Sequence, residues 1–236
     1  MRTSTAWLLA AALLLVAALA TYNVALHQAY QRQLTAGDPD AYVRLASQDF
    51  TEVVLPDSGS LGVKITRGPF RVQVRAQYAH LVHLRQQGRQ LIVTTDSSDV
   101  LEDEEMLLIS CPRLTRVTTR SVGPSPTAAG DSEGRCGVAI SGFRSDSLTL
   151  YQAKRARILL FDNRLKHLRA TVGANATSYA DLELHDDNRI AAAELVVNGH
   201  SRLSADGFII PRLRYQFADS AVVQLLGGTL PHQRRQ

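Results

Sequence analysis

The sequence predicts an all-β protein: a β-solenoid-like stack of short strands behind an N-terminal hydrophobic helix. Three observations carry this expectation. A pair of short strand patterns recurs four times between Asp146 and Gly228. Asp-Asn, Asp-Gly or Gly-Gly, all turn formers that tolerate positive φ, follows each second strand. No long amphipathic helix pattern occurs beyond Leu26.

In the recurring units, Leu148-Thr149-Leu150 precedes residues 156–160, and Leu168-Arg169-Ala170 precedes 180–184. Leu195-Val196-Val197 then precedes 201–205, and Leu213-Arg214-Tyr215 precedes 221–225. The leading leucines lie 20, 27 and 18 residues apart, an irregular period within the range of coil-like repeats. Apolar residues two apart give each strand one buried face. One such pair cannot cover that face, whereas a stacked copy does. An antiparallel meander is the competing arrangement. The second and third units also share a tetrapeptide pattern, Asp162-Asn163-Arg164-Leu165 and Asp187-Asn188-Arg189-Ile190.

The N-terminus is organised differently. Residues 6–20 carry no charge, and apolar character persists to Leu26. As a helix, residues 6–26 would reach about 31 Å, enough to cross a bilayer core. Arg2 precedes the segment, with Trp7 and Tyr22 near its ends, as membrane interfaces favour. Ala18-Leu19-Ala20 equally fits a small-x-small cleavage site, so residues 1–27 read as a signal anchor or a signal peptide. Either way the bulk of the chain is exported. Residues 28–49 are expected to be a tether, 50–230 a single β domain, and 231–236 a polar tail.

Within the domain, strands are expected at 50–55, 61–66, 70–75, 91–95, 106–110 and 138–142, with a helical turn or strand at 78–84. The acidic run at 102–105 reads as a solvated loop, and residues 121–137, rich in Gly, Pro, Ser and Ala, as a surface loop. The chain has a formal net charge of +4, carried by 26 basic against 22 acidic residues. With no run of five or more basic residues and few aromatics, nucleic acid is not an expected partner.

Motifs for chemistry are sparse. His-Glu-x-x-His, Gly-rich phosphate loops, Cys-x-x-Cys and the Gly-x-Ser-x-Gly elbow are all absent, so no metal or cofactor is expected. His80 and His83 read as surface residues, and His167, His185 and His200 fall near repeat turns. Cys111 and Cys136 could form a disulfide on the oxidising side, worth roughly 3 kcal/mol in the chain-entropy model. The alternative is a buried thiol at Cys111 and an exposed one at Cys136. The best ligand-binding set is Arg164 and Arg189 with Asp162 and Asp187, because equivalent turn positions of stacked coils line up. Asp186 and Asp206 extend that set to a candidate catalytic group.

The order of motifs also supports a resemblance. A Phe-x-x-Val strand from Phe50, Val-x-Ile-x-x-Gly from Val63, Gly-x-x-Leu-x-Val from Gly88 and Cys-Pro-x-Leu from Cys111 precede the tandem strands. This arrangement, over residues 50–226, resembles the bacterial GIN domain family of auto-transporter adhesin head domains. The resemblance implies a right-handed parallel β-helix-like fold, an envelope location behind a signal segment, and no enzymatic residues. The family's Gly-Ser-Gly turns are replaced here by Asp-Asn-Arg and Asn-Gly-His. No lipidation cysteine follows the hydrophobic segment, which excludes a lipoprotein.

The expectation is therefore a non-enzymatic, exported domain with an adhesive, ligand-binding or structural role. It is held to the membrane through residues 6–26, with a glycan or an envelope protein as partner. The alternative is a β-helix polysaccharide lyase or hydrolase using stacked Asp and Arg turn residues.

Overall fold

Alternation of apolar and polar residues places nearly every described segment in a strand. The computed structural model describes residues 42–56, 61–95, 106–120, 137–153, 156–207 and 209–225. The strands are β1 (Tyr42–Leu45), β2 (Glu52–Pro56), β3 (Val63–Arg67), β4 (Arg71–Arg75), β5 (Val82–Gln87) and β6 (Gln90–Thr95). They continue with β7 (Leu107–Cys111), β8 (Arg116–Arg120), β9 (Val138–Ser141), β10 (Arg144–Tyr151), β11 (Arg157–Phe161) and β12 (Arg164–Val172). The last six are β13 (Asp181–Leu184), β14 (Arg189–Ile190), β15 (Ala192–Val197), β16 (Arg202–Ala205), β17 (Arg212–Phe217) and β18 (Val222–Leu225). A 3-10 turn, Ala76–Tyr78, leads toward β5.

Two sheets result. One runs β1-β4-β7-β3-β9-β11-β13-β16-β18, the other β17-β15-β12-β10-β8-β2-β6-β5, with β14 beside β12. From β8 onward the chain alternates between sheets, and each strand pairs in parallel with its counterpart from the next unit. The four sequence pairs are thus four successive layers, and the meander is ruled out for them. Three further layers, β8/β9, β2/β3 and β6/β7, extend the stack. Antiparallel β4 and β1 finish one sheet beyond β7, and antiparallel β5 finishes the other beyond β6. Residues 42–45 of the expected tether are therefore a strand.

Register aligns the core into columns along the stack. In the first sheet, Ile109, Ile65, Ile140, Leu160, Leu184 and Ala205 are successive partners. In the second, Val53, Val117, Leu150, Ala170 and Leu195 follow one another. All of these are buried in one hydrophobic cluster shared by the two sheets. At the last layer the inward positions open: Tyr215, partner of buried Leu195, is 51% exposed and stacks on Phe217 at 4.7 Å.

The hydrophobic segment 6–26, the run 102–105, the loop 121–136 and the tail 231–236 lie outside the described residues. Among the described residues, no helix is long and apolar enough to cross a membrane.

Candidate functional site: an arginine column at one corner

The corners where the chain leaves the first sheet for the second are built around buried asparagines. Asn163 Nδ2 donates to the carbonyls of Ile140 (2.9 Å) and Phe161 (3.1 Å), and its Oδ1 accepts from the Phe143 N–H at 3.1 Å. One layer on, Asn188 Nδ2 donates to the carbonyls of Leu160 (2.6 Å) and His185 (2.8 Å), and its Oδ1 accepts the Asn163 backbone N–H at 3.1 Å. Turns leave backbone groups without ladder partners, and these amides satisfy them in the interior. The shared tetrapeptide now has a cause: Asn points in, so the arginine after it points out.

That alternation places Arg164 opposite Arg189 and Arg144 opposite Arg164 in adjacent strands. All three are exposed. Among the described residues, none of their guanidinium groups meets a carboxylate. Strands lie about 4.8 Å apart, and exposed like charges on neighbouring strands attract nothing within the column. The column therefore does not stabilise the fold.

The arginines border a groove of about 1010 Å³, whose lining also includes Arg113, Lys166, Asp146, Asp186, Ile209 and Pro211. Its charged lining is five basic side chains against two acidic ones. Lys166 Nζ lies 2.8 Å from Asp146 Oδ1. The hydrogen bond and charge of Lys166, aided by Arg113, hold the Asp146 carboxyl below its ordinary range, and Asp146 raises Lys166 in turn. Asp146 is thus an anion already matched and a poor general acid at neutral pH.

The expected ligand set divides here. Arg164 and Arg189 line the groove, while Asp162 and Asp187, two residues earlier, lie outside its lining. Asp162 takes a left-handed backbone (φ 50°) where the preceding corner has Gly142 (φ 77°), so its place in the turn is conformational. Arg144 and Arg113 were missed by sequence reasoning. The signal for Arg144 was the match of Gly142-Phe143-Arg144 to Asp162-Asn163-Arg164.

Other candidates lie elsewhere. Arg157 Nη2 binds Glu183 Oε1 at 2.6 Å on the outer face of the first sheet. Beside it, burial first, then the Glu183 charge, raises Asp181 above the usual carboxylate range against the pull of Arg157 and Arg202. The histidines lie apart: His167 is within β12, His185 at the asparagine corner, and His200 at the opposite turns, stacked on Tyr179 at 5.1 Å. Cys111 is a buried free thiol whose pKa burial pushes up to about 12, and Cys136 lies outside the described residues. Among the described residues no group of three or more His, Cys, Asp or Glu could hold a metal ion.

No family model matches the chain, so the resemblance to the GIN domain family rests on sequence motifs alone. No curated protein matches it either. Several solved structures are similar to the chain, among them the following three. A "putative adhesin" from Bacteroides fragilis is 12% identical with a TM-score of 0.39, covering 79% of this chain and 95% of its own. A "putative lipid binding protein" from Parabacteroides distasonis is 10% identical with a TM-score of 0.39, covering 80% and 97%. A "putative adhesin" from Parabacteroides merdae is 10% identical with a TM-score of 0.34, covering 78% and 95%. At these identities and TM-scores the likeness assigns neither ligand nor partner to this chain.

Proposed function

We propose that this protein is a non-enzymatic, exported, solenoid-like binding domain of the cell envelope, anchored through residues 6–26, that holds an extended partner in the arginine-lined groove. The observation that carries the reading is the in-register column Arg144, Arg164 and Arg189, exposed and without carboxylate partners among the described residues. Three like charges set in one line by the backbone register favour a bound anion. The parallel layers support an adhesive role, because they fix equivalent side chains on a rigid surface. The uncharged segment 6–20 supports export.

A glycan array probed with the full-length chain and with an Arg164→Ala/Arg189→Ala variant tests this. Binding by the wild type, lost at least roughly tenfold in the variant, is expected, since each charge-assisted hydrogen bond is worth about 1.5–3 kcal/mol. Undiminished binding by the variant would move the site elsewhere. Release of sugar from a bound polymer would make the protein an enzyme.

A further inference from the structure

We infer that the arginine column reads a linear acidic polysaccharide, laid across the strands so that its uronate carboxylates pair with Arg144, Arg164 and Arg189. This rests on the groove being the binding site, and adds which polymer it takes, how the polymer lies and how much of it is read. Orientation follows from register: the three residues are strand-to-strand partners, so the column runs along the stacking axis. Each step along it is one strand spacing, about 4.8 Å. Successive sugars of an extended chain advance by nearly the same step, with neighbouring carboxylates turned to different sides of the chain, so the long arginine stems reach around it. Guanidinium groups match carboxylates two hydrogen bonds at a time.

The rest of the lining fits the same occupant. Ala191, Ile209 and Pro211 are exposed along the groove and offer apolar surface to the C–H faces of sugar rings. Asp146 would oppose an acidic ligand, but Lys166 already matches it at 2.8 Å. Asp186 is the remaining carboxylate of the lining, against four arginines.

The column also has a defined end. β15 and β17 pair at an offset of twenty residues, as Ala192 with Arg212. Twenty residues beyond Arg189 stands Ile209, 63% exposed. The charge comb is therefore three guanidiniums long, with Arg113 adding positive charge to the lining and an apolar residue closing the far side. A ligand gains affinity with each added sugar until the comb is filled, and nothing after that.

Calorimetric titration of the full-length chain with oligogalacturonates of increasing length tests this. Methyl-esterified oligomers of equal length and inorganic polyphosphate serve as comparison ligands. Affinity should rise with length and level off at about three to four sugars, the span of the comb. Arg144→Gln, Arg164→Gln and Arg189→Gln should each weaken binding roughly tenfold, and esterification at least as much. Arg169→Gln, which removes an exposed arginine paired with Glu194 on the outer face of the second sheet, should leave affinity within about twofold. Equal affinity for acid and ester overturns the charge reading, and if Ile209→Asp then weakens both, the groove survives as a neutral-ligand site. Tighter binding of polyphosphate than of any oligouronate overturns the polysaccharide assignment alone. Failure of acid and ester oligomers alike to bind removes the groove reading together with this one.

Discussion

At the scale of single residues, Asp181 shows how placement on the sheet sets a titration. It stands between register partners Arg157 and Arg202, yet burial and the neighbouring Glu183 outweigh both, and its Oδ1 is buried without a hydrogen bond. A carboxyl raised in the folded state is favoured there as the neutral acid. Its stabilising share is complete below the ordinary aspartate pKa of about 3.9 and is lost as pH rises through the raised folded value. At neutral pH the ionised group is a net cost. Asp181→Asn should therefore raise Tm at pH 7 by no more than a few degrees, since a domain this size responds to each 1 kcal/mol by about 2–4 °C and the group is partly exposed. Thermal melts of both proteins should converge as pH falls below about 4. A constant difference across that range would show that the carboxyl is not the cause.

At the scale of elements, the corner matters more than the strand. Asn163→Ala removes the acceptor for the Phe143 N–H and the donor to Ile140 and Phe161. Leaving such buried groups unmet should cost about 2–3 kcal/mol in denaturant unfolding. It should also weaken ligand binding, because the turn that aims Arg164 relaxes; unchanged stability would mean that the asparagine ladder is not structural. The repeated strand pairs were legible because Leu, Ile and Val alternate with polar residues. β8 was not: in Arg116-Val117-Thr118-Thr119-Arg120 the second inward residue is Thr119, buried and accepting the Ala153 N–H through Oγ1 at 2.7 Å. β1 was hidden because an edge strand with exposed Val43 and Arg44 carries no core signal. Of the site, Arg164 and Arg189 were legible from their shared tetrapeptide. Arg144 left a fainter signal, because Gly142-Phe143 replaces Asp-Asn before it, and the backbone pairing is what brings it into line.

At the scale of the molecule, the stack has two unlike ends. β6/β7 is sealed by antiparallel β5 and by β4 with β1, which satisfy edges that would otherwise template further pairing. The spatial order, with β6/β7 beyond β2/β3 and β8 returning beside β2, depends on long-range register that no local pattern specifies. At the other end β17 and β18 have one neighbour each within the described residues, and their inward side chains are only partly buried. Stability in such an array is a sum of layer and interface terms, so it should fall toward the open end. Ile158→Ala, in a fully buried middle layer, should cost about 3–4 kcal/mol, within the range of cavity-forming core changes. Leu213→Ala, half-buried in the last layer, should cost about 1 kcal/mol, because less apolar surface returns to water. Hydrogen exchange should follow the same gradient, with amides of β11 to β13 slowest and those of β17 and β18 fastest. Uniform protection through β18 would mean that the last layer is covered, and that the inward face of Tyr215 and Phe217 is as dry as the columns behind it.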